Sequence, residues 1–152
     1  MGFKKTLEHI LAYTLVLLMG LMVLNVLWQV LSRYVMGEPS AFTDELARFL
    51  MIWLGLLGAA YVSGKGGHVA IDVLAKRAST KNQILLKRMV SGFIILFCIA
   101  AMVTGGGWLV YTTYELKQYS PALGLPLAYV YVVIPLSGLI VVYNKIIDII
   151  SD

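Results

Sequence analysis

Charge is what this sequence has least of. Of its 152 residues only 13% are Asp, Glu, Lys or Arg while 60% are hydrophobic, against roughly 25% charged in soluble domains, so the chain belongs in lipid. It holds a single cysteine, Cys98, inside an apolar run. That excludes an intramolecular disulfide and a cysteine metal cluster, and leaves Cys98 as a small buried hydrophobe. The two histidines, His9 and His68, fall at the ends of apolar runs. Neither has the companions of a metal ligand or the mid-bundle position of a haem ligand. No metal or other cofactor is therefore expected. The formal net charge is +4, yet the basic residues form no aromatic-interleaved patch, which excludes nucleic acid as a partner.

What the sequence does contain is four long apolar runs. Residues 10–31 would rise about 33 Å as a helix, enough to cross a bilayer. A run this long is not a signal-peptide core, and it reads as a retained anchor. The match of the first six residues to a myristoylation pattern is read as chance. Further runs cover residues 42–63, 89–114 and 127–144. The fold class is all-α integral membrane protein with four transmembrane helices, and the expected organisation is one membrane domain over residues 1–152. None of the four runs has Asp, Glu, Lys, Arg or His at its middle. Ion-coupled pumps and proton relays keep such groups there, so the chain is poorly equipped to carry a substrate alone. It is not expected to be an enzyme.

The connections carry the signals. Gly37-Glu38-Pro39-Ser40 opposes helix continuation, and Ser40 or Thr43 is suited to cap the second helix. Residues 65–88 hold six basic residues against one acid, Asp72. Within them Val69, Val73 and Leu74 at helical spacing, with the pair Asp72/Lys76, fit a short amphipathic helix on the membrane surface. Thr80 and Gln83 form a capping-box pattern before the third span. Ser120, Pro121, Gly124 and Pro126 mark a turn, and Pro135 should kink the fourth helix because the carbonyl of Tyr131 loses its partner. Nine of the twelve Lys and Arg residues lie at the N-terminus, in the long loop and at the C-terminus; Arg33, Arg48 and Lys117 lie toward the other side. The positive-inside rule then puts both termini in the cytoplasm. Trp108, Tyr111, Tyr114 and Tyr119 suit the opposite interface.

Three constellations stand out. The elbow of Arg33, Glu38, Asp44, Glu45 and Arg48 reads either as a partner-docking site or as interfacial ion pairs holding two helix ends together, and the readings are compatible. Asn25 and Gln29 share a face of the first helix, and amides in hydrocarbon need partners on another helix, this chain's own or a partner's. Gly55, Gly58, Ala59 and the triplet at 105–107 permit close helix approach, within the chain or across an interface. For His68 a structural hydrogen bond at a helix start is the favoured reading.

The segments Trp28-Gln29-Val30-Leu31-Ser32-Arg33-Tyr34-Val35, Glu38-Pro39-Ser40-Ala41-Phe42-Thr43-Asp44-Glu45-Leu46-Ala47-Arg48, Trp53 with Gly58-Ala59-Ala60, Gly67-His68-Val69-Ala70-Ile71-Asp72-Val73-Leu74, and Ser120-Pro121-Ala122-Leu123-Gly124-Leu125-Pro126 with Tyr131 and Pro135 occur in order. Together they resemble the small, DctQ-like membrane subunit of TRAP (tripartite ATP-independent periplasmic) transporters over nearly the whole chain. Phe42 departs from the tryptophan expected there and keeps an aromatic at the interface.

The resemblance implies a bacterial inner-membrane protein that partners a large multispan TRAP subunit and a periplasmic substrate-binding protein. The large subunit takes up an organic acid with sodium ions; the small one braces it without catalytic contribution. Carried over, the elbow motif maps to Arg33, Pro39, Asp44, Glu45 and Arg48, the loop motif to His68 and Asp72, and the last to Pro121, Pro126 and Pro135. Two other classes share the four-helix size. A self-sufficient homo-oligomeric exporter should need a membrane-embedded acid, and a respiratory-complex anchor should need histidines within the bundle.

Overall fold

The computed structural model describes residues 2–37, 40–65 and 80–151. Its α-helices are α1 (Gly2–Leu31), α2 (Ala41–Gly64), α3 (Thr80–Phe97), α4 (Gly106–Glu115), α5 (Leu127–Tyr131) and α6 (Val133–Ser151). Wide π-helical turns extend α1 over Ser32–Met36 and join α3 to α4 over Cys98–Gly105. Four stretches are long and apolar enough to cross a membrane: Lys4–Val35, Ala41–Gly64, Lys87–Glu115 and Leu127–Ile150. The chain is an all-α, multi-pass membrane protein.

The spans pack in the order first, second, fourth, third. The fourth is the most buried, and the first and third form the edges of the row with the least burial. Two apolar clusters tie the row together. Leu11, Leu57 and Val133 join the first, second and fourth spans; Ala60, Cys98 and Val141 join the second, third and fourth. Cys98 is indeed a buried small hydrophobe.

Close approach of the third and fourth spans depends on two glycines. A Cβ on Gly138 would lie 2.7 Å from Met102 Cβ, and one on Gly106 would lie 2.7 Å from Ile134 Cγ2. Of the small residues singled out in the sequence, only Gly106 has such a contact within the chain. Gly55 meets nothing within 4 Å and Gly58 only Leu15 at 4.0 Å; Gly58 lines a groove of ≈ 810 Å³ between the first and second spans.

The fourth helix breaks where proline chemistry requires. α5 ends at Tyr131 and α6 starts at Val133, one turn before Pro135, whose missing N–H deprives the Tyr131 carbonyl of its helical partner. The indole N–H of Trp53 donates to the Val130 carbonyl at 3.1 Å, supplying a donor at the interruption. α6 then continues to Ser151, well past residue 144, where the apolar run was expected to stop. Capping of α2 also differs from expectation. Neither Ser40 nor Thr43 caps it with its side chain; the Thr43 hydroxyl instead donates back to the Ser40 carbonyl at 2.9 Å. The surface helix expected around residues 69–76 lies outside the described residues.

α4 ends in a left-handed turn at Lys117, φ 46°, with Gln118 N–H donating to the Thr113 carbonyl at 3.1 Å. A side chain in that conformation is strained, whereas glycine is not. Lys117→Gly is therefore expected to stabilise the protein by about 0.5–1 kcal/mol, read as a rise in thermal midpoint in detergent.

Candidate subunit interface and charged helix ends

The elbow between the first two spans is assembled around the start of α2. Asn25, 8% exposed, donates from Nδ2 to the Thr43 carbonyl at 2.7 Å, and Gln29 Nε2 reaches Asp44 Oδ1 at 3.4 Å. The amide stripe of α1 is thus covered by this chain's own second helix. Such interhelical bonds contribute roughly 0.6–2 kcal/mol in membranes. Asp44 and Arg48 form an i,i+4 pair at 2.7 Å with both side chains exposed, a geometry that contributes little by itself.

Two elbow expectations change. Arg33 was expected to approach Asp44 and Arg48; it is exposed and pairs with none of the described acids. The π-helical turn before the left-handed Gly37, φ 74°, carries it, with Tyr34 and Val35, on the outside. Glu45 was read among ion pairs, but its carboxylate serves backbone donors. Oε2 accepts the N–H of Ala122 at 2.8 Å and of Leu123 at 3.1 Å. A tight turn exposes consecutive N–H groups that no helix satisfies, and a carboxylate is a strong acceptor for them. Sequence proximity to Arg48 suggested a pair; the fold brings residue 120 to Glu45 from the other end of the chain.

That turn is itself compact. Ser120 N–H donates to the Leu125 carbonyl and Gly124 N–H to the Ser120 carbonyl, both at 2.9 Å, while Gly124 has φ 64°. Pro121 is exposed on it, Pro126 immediately precedes α5, and Pro135 lies near Gly106. The elbow, the turn and the aromatic end of α4 therefore lie at one end of the row. Pro39, His68 and Asp72 fall outside the described residues.

The opposite end holds a cluster that sequence reasoning missed. Lys145, counted with the C-terminus, has a side chain only 2% exposed; its Nζ is 3.0 Å from Asp148 Oδ2, and Lys4 Nζ is 3.0 Å from Asp148 Oδ1. The Lys4–Asp148 contact brings the start of α1 and the end of α6 together. The available signal was the i,i+3 pair Lys145/Asp148 beside the lysines of the N-terminus. Nearby, Asn144 Nδ2 donates to the Ala60 carbonyl at 3.4 Å, in space left by Gly64.

With the geometry in place, comparison decides the family. The family described as tripartite ATP-independent periplasmic transporters, DctQ component, matches residues 22–152. The chain belongs to this family. It is a component of a transporter and not an enzyme.

Among DctQ-family relatives, a Haemophilus influenzae protein with a provisional description as a TRAP transporter small permease is 27% identical over 124 residues, 82% of this chain and 75% of that protein. The C4-dicarboxylate TRAP transporter small permease protein DctQ of Rhodobacter capsulatus is 33% identical over 104 residues, 67% of this chain and 44% of that protein. The sialic acid TRAP transporter permease protein SiaT of another H. influenzae strain is 31% identical over 78 residues, 51% of this chain but only 12% of that protein.

Proposed function

We propose that this chain is the non-catalytic small subunit that braces the large transport subunit of a sodium-coupled TRAP system for organic acid uptake. The observation that carries this is the open row of spans. Its edge helices keep most of their apolar surface uncovered, and the middle of each span lacks any Asp, Glu, Lys, Arg or His through which ions or substrate could be coupled. A rigid, uncharged layer of helices can widen a fixed scaffold against which a neighbouring domain moves. The embedding of a similar segment in the much longer SiaT supports a large membrane partner. The relatives named for C4-dicarboxylate and sialic acid support the organic acid class, within which a dicarboxylate, keto acid or sialic acid is the substrate.

The uneven Lys and Arg distribution supports the bacterial inner membrane with both termini cytoplasmic. The elbow and the Ser120–Gly124 turn then face the periplasm, where they help to receive the substrate-binding protein. Purification of the tagged chain from native membranes in mild detergent should bring a large multispan protein with it, and uptake in proteoliposomes should require both. A lone homo-oligomer, or uptake by the isolated chain, would overturn the reading in favour of a small exporter. Arg33→Ala and Glu45→Ala should reduce the yield of the complex more than Cys98→Ala, the first by removing an exposed cation and the second by releasing the turn; equal yields would remove the elbow from the interface.

A further inference from the structure

Asp148 stands between two ammonium groups. Lys4 Nζ and Lys145 Nζ each lie 3.0 Å from a different oxygen of its carboxylate, with side chains 25% and 2% exposed. One carboxylate neutralises one ammonium, so the cluster carries a net positive charge at the ends of α1 and α6. Each ammonium has three N–H donors, and Asp148 accepts one from each. A partly buried net charge is costly unless a further counter-charge completes it. No second carboxylate among the described residues forms an ion pair with Lys4 or Lys145. Among the described residues this end also holds Lys5, Lys65, Lys87 and Arg88, against Glu8 as the one other acid.

Polar groups here are also under-satisfied. Ser63 Oγ and Asn144 Oδ1, both buried, have no hydrogen-bond partner among the described residues, and Asn144 adjoins Lys145. Lys145 and Asp148 lie within the last two turns of the fourth span, which ends at Ile150, where a span of this length would meet lipid headgroups. The helix that carries Lys4 also lines, with α2, the apolar groove of ≈ 810 Å³ beside Leu15, Met19, Gly20, Leu54 and Gly58, at acyl-chain depth.

We propose that Lys4, Asp148 and Lys145 form a headgroup site for one anionic phospholipid. A phosphate oxygen accepts from the open face of Lys4, and Lys145 supplies the second positive charge from behind Asp148. Basic pockets between spans hold acidic headgroups by this chemistry. The groove and the depth favour a lipid over a soluble phosphate.

The test is native mass spectrometry of the full chain in mild detergent, titrated with phosphatidylglycerol, phosphatidylcholine or inorganic phosphate. One phosphatidylglycerol should be retained per chain while phosphatidylcholine is lost, and millimolar phosphate should not displace the phosphatidylglycerol. Lys4→Gln and Lys145→Met each remove one positive charge and should weaken phosphatidylglycerol binding about fivefold, the effect of one basic residue near a headgroup. Asp148→Asn adds net positive charge and should preserve or strengthen binding. Equal retention of both lipids would overturn the site, as would an equal loss in all three variants, the mark of a merely structural ion-pair network. Displacement by inorganic phosphate would overturn the lipid assignment in favour of a soluble anion. Unchanged phosphatidylglycerol binding in Lys4→Gln, with a reduced yield of the transporter complex, would assign the cluster to a protein partner instead.

Discussion

Asp148→Ala is expected to destabilise the protein by about 3 kcal/mol, the low end of the range for stripping a buried ion of its partner. The reason is Lys145. Its side chain is only 2% exposed, and Asp148 is the acid it meets, so removing the carboxylate strands an ammonium between helices. The low end applies because Asp148 itself keeps 27% exposure and water can reach part of the site. Lys145→Met should cost much less, since a buried charge replaced by an apolar chain of similar length needs no counter-ion. Denaturant titration of both variants in detergent checks this. An Asp148→Ala protein as stable as the parent, or less affected than Lys145→Met, would show that Lys145 does not depend on the carboxylate.

Gly138→Ala should be among the most damaging single methyl additions in the described spans, at about 2 kcal/mol by the usual cost of overpacking. The added Cβ would lie 2.7 Å from Met102 Cβ and 3.6 Å from the Cys98 carbonyl. A Cβ cannot swing aside as a side-chain tip can, so the third and fourth spans must separate. Gly106→Ala meets Ile134 Cγ2 at 2.7 Å, with Ile134 Cβ and Pro135 Cδ both at 3.2 Å; a β-branched side chain and a proline ring have little freedom to move, so it should cost a similar amount. Gly20→Ala and Gly55→Ala meet nothing within 4 Å and should be neutral or slightly stabilising, since alanine favours helix over glycine. The single cysteine reports the separation directly. Cys98, 3% exposed, should become reactive to a maleimide in Gly138→Ala and stay protected in Gly55→Ala; equal protection in both would argue against a close crossing at Gly138.

These two residues show where the sequence was and was not legible. The four apolar runs, the break at Pro135 and the amide stripe of Asn25 and Gln29 follow from local rules. Hydrocarbon forces the backbone to satisfy itself within a helix, proline removes one donor, and an amide seeks a partner. Gly138 was overlooked because a glycine's role depends on which helix comes opposite, and for the same reason Gly55 and Gly58 could not be told from the sequence to lack a close intrachain neighbour. Glu45 was misplaced among ion pairs because its acceptor role requires the turn at residues 120–124, far away in the chain. Lys145 was counted only among the C-terminal basic residues because only three-dimensional packing shows that α6 continues to Ser151 and brings Asp148 to Lys4.

By itself, then, the sequence determined the solvent, the number of spans and the family, because hydropathy and motif order are one-dimensional properties. Tertiary structure alone decided the order of the spans in the row, which glycines are in close contact, and which charges are buried. Those depend on pairings between distant segments, and the energy of a methyl or an ammonium is set by what stands across from it.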